Sequence, residues 1–203
     1  ISGIWDDSEK LKSFQGFLVN GKIESFTCQM NEKIIVAIGD NKTRKLIAER
    51  IRSNFGTAIH PDSVISTSIN VGFGTVVMAN ASINVDTKIG NHVIINTNAS
   101  VDHDCSISDY VHISPNAALA GNVIVGEGTH IGIGASIIQG VKIGCWATIG
   151  AGAVIIKDVP DFAVVVGNPA SIIKYNSLST NKMDTKIWLS SPHMGGSEQK
   201  FVS

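Results

Sequence analysis

Charge is scarce in this chain: only 16% of its 203 residues are Asp, Glu, Lys or Arg, against about 25% in ordinary soluble domains. The 16 basic and 17 acidic side chains nearly cancel, leaving a formal net charge of -1. That balance excludes a protein that holds nucleic acid by electrostatic attraction. Long apolar runs are missing too. No uncharged stretch approaches the roughly 18 residues a membrane-spanning helix needs, so no membrane segment is expected. Cysteine is limited to Cys28, Cys105 and Cys145, an odd number that cannot form a closed disulfide set and has no metal-type spacing. Buried thiols in a reducing cytoplasm are the expectation. No charged-then-apolar leader opens the chain. It begins at Ile1 rather than Met, and its start is read as missing. Aromatics are only 6%, which beside many β-branched residues favours regular β structure over a helical bundle.

What the chain does have is aliphatic: 29 Ile, 19 Val and 6 Leu, too many for disorder. Stepping by six from Ile59 through Ile65, Val71 and Val77 to Ile149 and Ile155 meets Ile, Val or Leu at all 17 positions. Four residues after each stands a small or slim side chain, from Ser63 to Val159, with Ile69 as the exception. A period of six is neither the 3.6 of a helix nor the two of a strand. It suits a short flat strand and a corner, one aliphatic per side. Three sides close a triangular coil of about 18 residues, and stacked coils share hydrogen bonds and aliphatic columns. Gly72, Gly90, Gly126, Gly132, Gly144 and Gly150 follow the aliphatic, where a tight coil leaves little room for Cβ. The strings Gly72-Phe73-Gly74, Gly132-Ile133-Gly134 and Gly150-Ala151-Gly152 fall inside the period and are not dinucleotide fingerprints.

Ahead of the repeat, Ile34 to Ile38 reads as a strand that stops at Gly39-Asp40-Asn41. A helix is expected from Lys42 to Ser53, capped by Asp40 or Asn41, with Leu46, Ile47 and Ile51 on one face and Gly56 at its exit. Ile4-Trp5-Asp6-Asp7 could end an earlier strand. The expected organisation is a small α/β domain over residues 1–57, a β-helix over 58–174 and a tail over 175–203.

The period, with its aliphatic, small, variable, variable, small pattern, resembles the hexapeptide-repeat acyltransferases. That resemblance implies a left-handed parallel β-helix working as a homotrimer. An α/β unit before an uninterrupted repeat is similar to the sugar acetyltransferases of the NeuD/PglD type. In that family a first strand, a glycine-rich turn with a His, and a helix precede the segment like Trp5-Asp6-Asp7. These are absent here, and the α/β unit is expected to lack its first βα unit. The string Lys186-Ile187-Trp188-Leu189-Ser190-Ser191-Pro192-His193-Met194-Gly195-Gly196 resembles the opening of the pyridoxal-phosphate sugar aminotransferases. The sequence ends before the cofactor lysine of those enzymes, so the resemblance does not carry aminotransferase activity with it.

Among six histidines no H-x₃-H or H-x₄-H pair occurs, and two stacked residues, His112 and His130, do not make a metal site. No metal is expected. No Ser-His-Asp or Cys-His arrangement stands out, which favours direct attack over an acyl-enzyme. His103 falls third in its hexad, outside the coil near a corner. Taken alone, it reads as an exposed corner histidine. The resemblance implies instead that His103 is the general base, supported by Asp104, with Asp102 a competitor for the ring. It gives Asn96 a role in orienting substrate; the bland alternative is a corner hydrogen-bond ladder with Asn98. Acetyl-CoA is implied as co-substrate in a groove between trimer subunits. His112 would lie near the thioester, Gly121 would offer its N–H to the oxyanion, Ile133 and Ala151 would line the arm, and Pro169 in Gly167-Asn168-Pro169-Ala170 would border the adenine end. Asp6, Asp7, Gly39 and Asp40 would face a sugar nucleotide. The expected reaction is N-acetylation of a nucleotide-linked 4-amino-4,6-dideoxy sugar. Sugar O-acetylation, as on sialic acid, and a noncatalytic β-helix scaffold are the alternatives.

Overall fold

The computed structural model describes residues 3–27, 32–51 and 53–176. It is mainly β, and its body is a parallel β-helix. Sixteen two-residue strands run from β4 (Ala58–Ile59) to β19 (Val154–Ile155), and the isolated bridge of Val71 to Ile89 supplies the remaining side of the repeat. From β4 to Ser136–Ile137 each strand pairs in parallel with the one 18 residues on, as Ser100 and Val101 pair with Ala118 and Leu119. Three faces result. The first carries Ile94–Ile95, His112–Ile113 and His130–Ile131; the second Ser82–Ile83, Ser100–Val101, Ala118–Leu119 and Ser136–Ile137; the third Lys88–Ile89, Ser106–Ile107 and Ile124–Val125.

The period-six aliphatics from Val77 to Ile155 are all buried, together with the small residues between them. Ile59 is 39% exposed because no earlier coil lies beneath it, and Ile69, which broke the small-residue pattern, packs half-buried against the same core. Three inward threonines satisfy their hydroxyls by reaching the next coil's corner, as Thr87 Oγ1 donates to the Asp102 carbonyl (2.7 Å) and accepts from Cys105 N (3.1 Å). The glycines after the aliphatics are needed for close approach: a Cβ on Gly72 would stand 2.2 Å from the Gly90 carbonyl oxygen. A second corner requirement went unread in the sequence. From Val71 to Ile149 the residue three after the aliphatic takes a left-handed φ, often supplied by Asn or Asp, as at Asn80, Asp86, Asn98, Asp104, Asn116 and Asn122, types that tolerate it best after glycine.

A hairpin closes the far end, β20 (Ala163–Gly167) joined antiparallel to β21 (Ala170–Tyr175), with a cis Asn168–Pro169 bond in the turn. The hairpin reaches Tyr175, and the Lys186–Gly196 string lies outside the described residues. Among the described residues no helix is long and apolar enough to cross a membrane.

The N-terminal part differs from expectation in detail. β1 (Ile4–Trp5) pairs in parallel with β3 (Phe17–Gly21), which forms a hairpin with β2 (Ser13–Phe14). Its two-residue turn, Gln15-Gly16, has φ of 46° and 85°, the geometry that matches strand twist. The run Ile34 to Ile38 is not a strand. Only Ile34 bridges, to Phe55, since among the described residues no strand lies beside the rest; Val36 packs instead with Ile47, Ala48, Ile51 and Phe55. Helix α1 spans Asn41–Ile51, with Asp40 as its cap through Thr43 N (2.8 Å). Leu46 is exposed rather than on the buried face, and the buried positions are Asn41, Arg44, Ile47 and Ala48. Gly56 does not end the helix; its N–H pairs with the Ile34 carbonyl (3.0 Å).

The reason for this face is Arg44, 1% exposed. Its guanidinium donates to the carbonyls of His92 (2.9 Å), Ile38 (2.9 Å), Gly39 (3.2 Å) and Tyr110 (2.7 Å), and to Asn41 Oδ1 (2.7 Å). It thereby ties the 38–40 loop and α1 to corners of two successive coils. Beside it, Lys45 pairs with Glu127 and lies over the rings of Tyr110 and Trp146, 5.7 and 5.6 Å from their centroids.

Candidate active site

The strand Ser100–Val101 on the second face runs into the corner Asp102–Cys105. That corner is pinned from both sides: Asp104 N donates to the Val85 carbonyl (3.0 Å) of the coil before, and Asn122 N to the His103 carbonyl (2.9 Å) from the coil after. With φ of 58°, Asp104 turns its carboxylate back along the chain, and Oδ2 stands 2.7 Å from His103 Nδ1. In the tautomer that donates Nδ1–H to Asp104, Nε2 carries the free lone pair. The Asp104 hydrogen bond raises the pKa of His103 above the ordinary imidazole value, with the charges of Asp102 and Asp104 adding to it. Asp102 does not compete for the ring. Its Oδ1 accepts from His103 N (2.8 Å) and from Asn84 Nδ2 (2.8 Å) one coil earlier.

Gly121, one coil after His103, lies against the imidazole: a Cβ there would be 2.6 Å from Cε1 and 2.7 Å from Nε2. Its N–H also differs from those of two counterparts. At the equivalent corner positions, Thr97 N is taken by Asn96 Oδ1 (2.8 Å) and His103 N by Asp102 Oδ1 (2.8 Å). Ala120, ahead of Gly121, has no side-chain oxygen to do this. Beside the corner, an open groove of about 400 Å³ runs over the second face, lined by Asn84, Ser100, Asp102, Ala118, Ala120 and Gln139.

A second group gathers one side away. Asn96 follows the first-face strand Ile94–Ile95, with Nδ2 3.2 Å from His112 Nε2. The His112 ring meets His130 edge-on at 4.9 Å between centroids, and His130 Nε2 lies 3.2 Å from Ser114 Oγ. His112 is pushed down to about 3, by burial first and then by the fields of His130 and Arg44, with the nearby Gly39 backbone opposing. It is neutral at ordinary pH, and its buried Nδ1 closes no hydrogen bond among the described residues. His130 is lowered by burial and then Arg44, against Asp40. The Gly39 backbone thus acts on His112 and the charge of Asp40 on His130. Ile133, 52% exposed, and Ala151 share the Asn96 corner, two and three coils along.

The remaining candidates stand apart. Asp6 Oδ1 accepts from Ser8 N (2.7 Å) and Asp7 Oδ1 from Ile23 N (2.9 Å), so both brace the N-terminal hairpin. Pro169 sits in the turn between β20 and β21. Within one chain, then, His103, Asp104 and Gly121 converge, while Asn96, His112, Gly39 and Asp40 form a separate cluster. No group of three His, Cys, Asp or Glu able to hold a metal occurs among the described residues. Two contributors escaped the sequence reading. Asn84 was detectable, being 18 residues before Asp102; Arg44 looked like any polar residue of a helix.

The PglD N-terminal domain family matches residues 1–51. Among solved structures, the acetyltransferase domain of PglB from Neisseria gonorrhoeae, also solved with acetyl coenzyme A, shares 40% identity at a TM-score of 0.80 over 84% of this chain and 86% of that one. PerB from Caulobacter crescentus, in complex with CoA and GDP-perosamine, shares 40% identity at a TM-score of 0.77, covering 80% and 82%. WeeI from Acinetobacter baumannii shares 29% at 0.76, covering 83% and 84%. No curated protein matches significantly. With 40% identity to the PglB acetyltransferase domain and to PerB over most of both chains, and with a PglD N-terminal domain ahead of the coil, this chain belongs to the PglD-like sugar acetyltransferases of the hexapeptide-repeat β-helix family.

Proposed function

We propose that this protein transfers acetyl from acetyl-CoA to the 4-amino group of a nucleotide-linked 4-amino-4,6-dideoxy sugar, with His103 as general base. The observation that carries this reading is the His103–Asp104 contact of 2.7 Å on a corner where Gly121 leaves room for the ring and an N–H beside it. The amine nitrogen attacks the thioester carbonyl carbon and its proton passes to His103 Nε2. The Gly121 N–H receives the oxyanion. Collapse of the tetrahedral intermediate breaks the C–S bond, and the thiolate takes the proton from His103, giving amide and CoA thiol. An acyl-enzyme through Cys105 is disfavoured. That thiol is buried, its pKa is pushed up by burial, and Sγ is engaged by the Ala120 carbonyl at 3.3 Å, whereas a nucleophilic cysteine needs an accessible thiolate.

The choice of substrates is supported by the relatives, one solved with acetyl coenzyme A and another with CoA and GDP-perosamine. A homotrimer suits the division of candidates between two corners: a second copy could set its Asn96, His112, Ile133, Ala151 and Pro169 opposite His103. Gly39 and Asp40, held over the first face by Arg44, and Asp6 and Asp7 are assigned to the sugar-nucleotide side.

The test is CoA release with UDP-, dTDP- and GDP-linked 4-amino sugars and with sialic acid as acceptors. Amino sugars should be acetylated, and His103→Ala should lower turnover by about 10² to 10⁴-fold. Activity on sialic acid alone would overturn N-acetylation, and undiminished activity in His103→Ala would overturn the base. A monomer in sedimentation at assay concentration would overturn the trimer.

A further inference from the structure

The reading of His103 as base leaves the neighbouring carboxylate, Asp102, without a task. It is not a loose surface acid. Asn84 Nδ2 and His103 N both donate to its Oδ1 at 2.8 Å, and Thr87 Oγ1 holds its carbonyl at 2.7 Å, so the side chain is fixed from the coil beneath. Its second oxygen is outside both hydrogen bonds, and the residue lines the open groove with Ser100, Ala118 and Gln139. The Asn84 hydrogen bond, followed by that from His103 N, keeps its pKa below the usual carboxylate value. The titratable groups that respond to it are His103 and the Cys105 thiol; Asp104 is turned to Nδ1 of the same ring.

We propose that Asp102 is a specificity-determining residue, a fixed anionic carboxylate beside the base that draws in an acceptor arriving as an ammonium ion and so favours amines over hydroxyls. This rests on the reading of His103 given above. The ammonium is the resting form of an alkyl amine at neutral pH, and it must shed one proton to solvent before the attack. Asp102 acts at the encounter, not in the bond-making step. An exposed charge pair of this kind alters affinity by about three- to fivefold at low salt and less at high salt.

The experiment uses the full chain and Asp102→Asn, which keeps an oxygen able to accept from Asn84 and His103 N and removes only the charge. At pH 6.5 and low ionic strength, KM for the amino-sugar nucleotide should rise about three- to fivefold, and kcat, compared on the alkaline plateau where His103 is unprotonated in both proteins, should agree within about twofold. The rise should vanish above the pKa of the substrate amine. Inhibition by the 4-hydroxy analogue of the same nucleotide sugar should be equal in both proteins. In the unsubstituted protein, KM should climb with salt at pH 6.5 and stay level once the amine is neutral, a readout independent of any variant's folding. An unchanged KM, or parallel weakening of amine and hydroxy analogue, overturns the inference while leaving His103 untouched. An active His103→Ala with the Asp102 effect intact overturns the base alone.

Discussion

Gly121→Ala separates the catalytic geometry from the fold more sharply than removal of His103 does. The added Cβ would lie 2.6 Å from Cε1 and 2.7 Å from Nε2 of the imidazole, about 0.7 Å or more inside the 3.4 Å at which ordinary contact begins. Gly121 has no left-handed φ, so alanine fits the backbone, and the ring is what must yield. His103 is half-exposed, with 49% of its side chain accessible, and can swing outward at little cost. That swing takes Nδ1 away from Asp104 and Nε2 away from its working position. A misplacement of about 1 Å costs on the order of 10²-fold in rate. The expected result is a fall in kcat/KM of about 100-fold with little change in melting temperature. The acid limb of kcat/KM should also drop toward 6.5, the unperturbed histidine value, as Asp104 ceases to raise the ring's pKa. The counterpart is Gly16→Ala in the N-terminal hairpin. There φ is 85° with nothing within 4 Å, so stability should fall by about 1 kcal/mol from backbone strain and activity should hold. Steady-state CoA release from pH 5.5 to 9, beside thermal unfolding of both variants, makes the comparison. Activity of Gly121→Ala within threefold of the parent, or a loss of stability large enough to explain the lost rate, would refute the reasoning.

Arg44→Met removes a buried cation and strands the carbonyls of Ile38, Gly39, His92 and Tyr110; losing one partner of such a network costs about 3–5 kcal/mol. Urea unfolding should show the N-terminal part detaching early while the β-helix persists, and a shift below 1 kcal/mol would contradict the assignment. Acidification should destabilise the fold. His112 sits at about 3 against 6.5 when unfolded, so the unfolded chain binds more protons between those values and stability falls as pH drops below 6.5. From His112 alone the loss reaches about 3 kcal/mol by pH 4; His92 and His130 act in the same direction. Urea midpoints that stay flat from pH 7 to pH 4 would rule this out.

The period-six aliphatics determined the coil by themselves, because each position from Val77 onward has one place to go, the narrow interior between parallel strands. Glycine after the aliphatic carried its own message, since only hydrogen fits against the next coil. The corner residues were harder to read. His92, Tyr110 and Trp146 adopt left-handed φ where asparagine would be expected, and nothing local distinguishes them from exposed aromatics.

Candidate His103 was visible only through its likeness to a family, and Asp104 was ambiguous beside Asp102 until the left-handed turn at Asp104 aimed one carboxylate at the ring and Asn84 captured the other. The strand expected over Ile34 to Ile38 failed for want of a neighbour, a nonlocal fact. Arg44 was silent for the same reason: its acceptors are 48 and 66 residues away, and a polar residue on a helix declares its burial only when another surface closes over it. Local repetition was enough to specify the coil, whereas the site depends on which corners stack and what docks across them, distances that the order of residues does not contain.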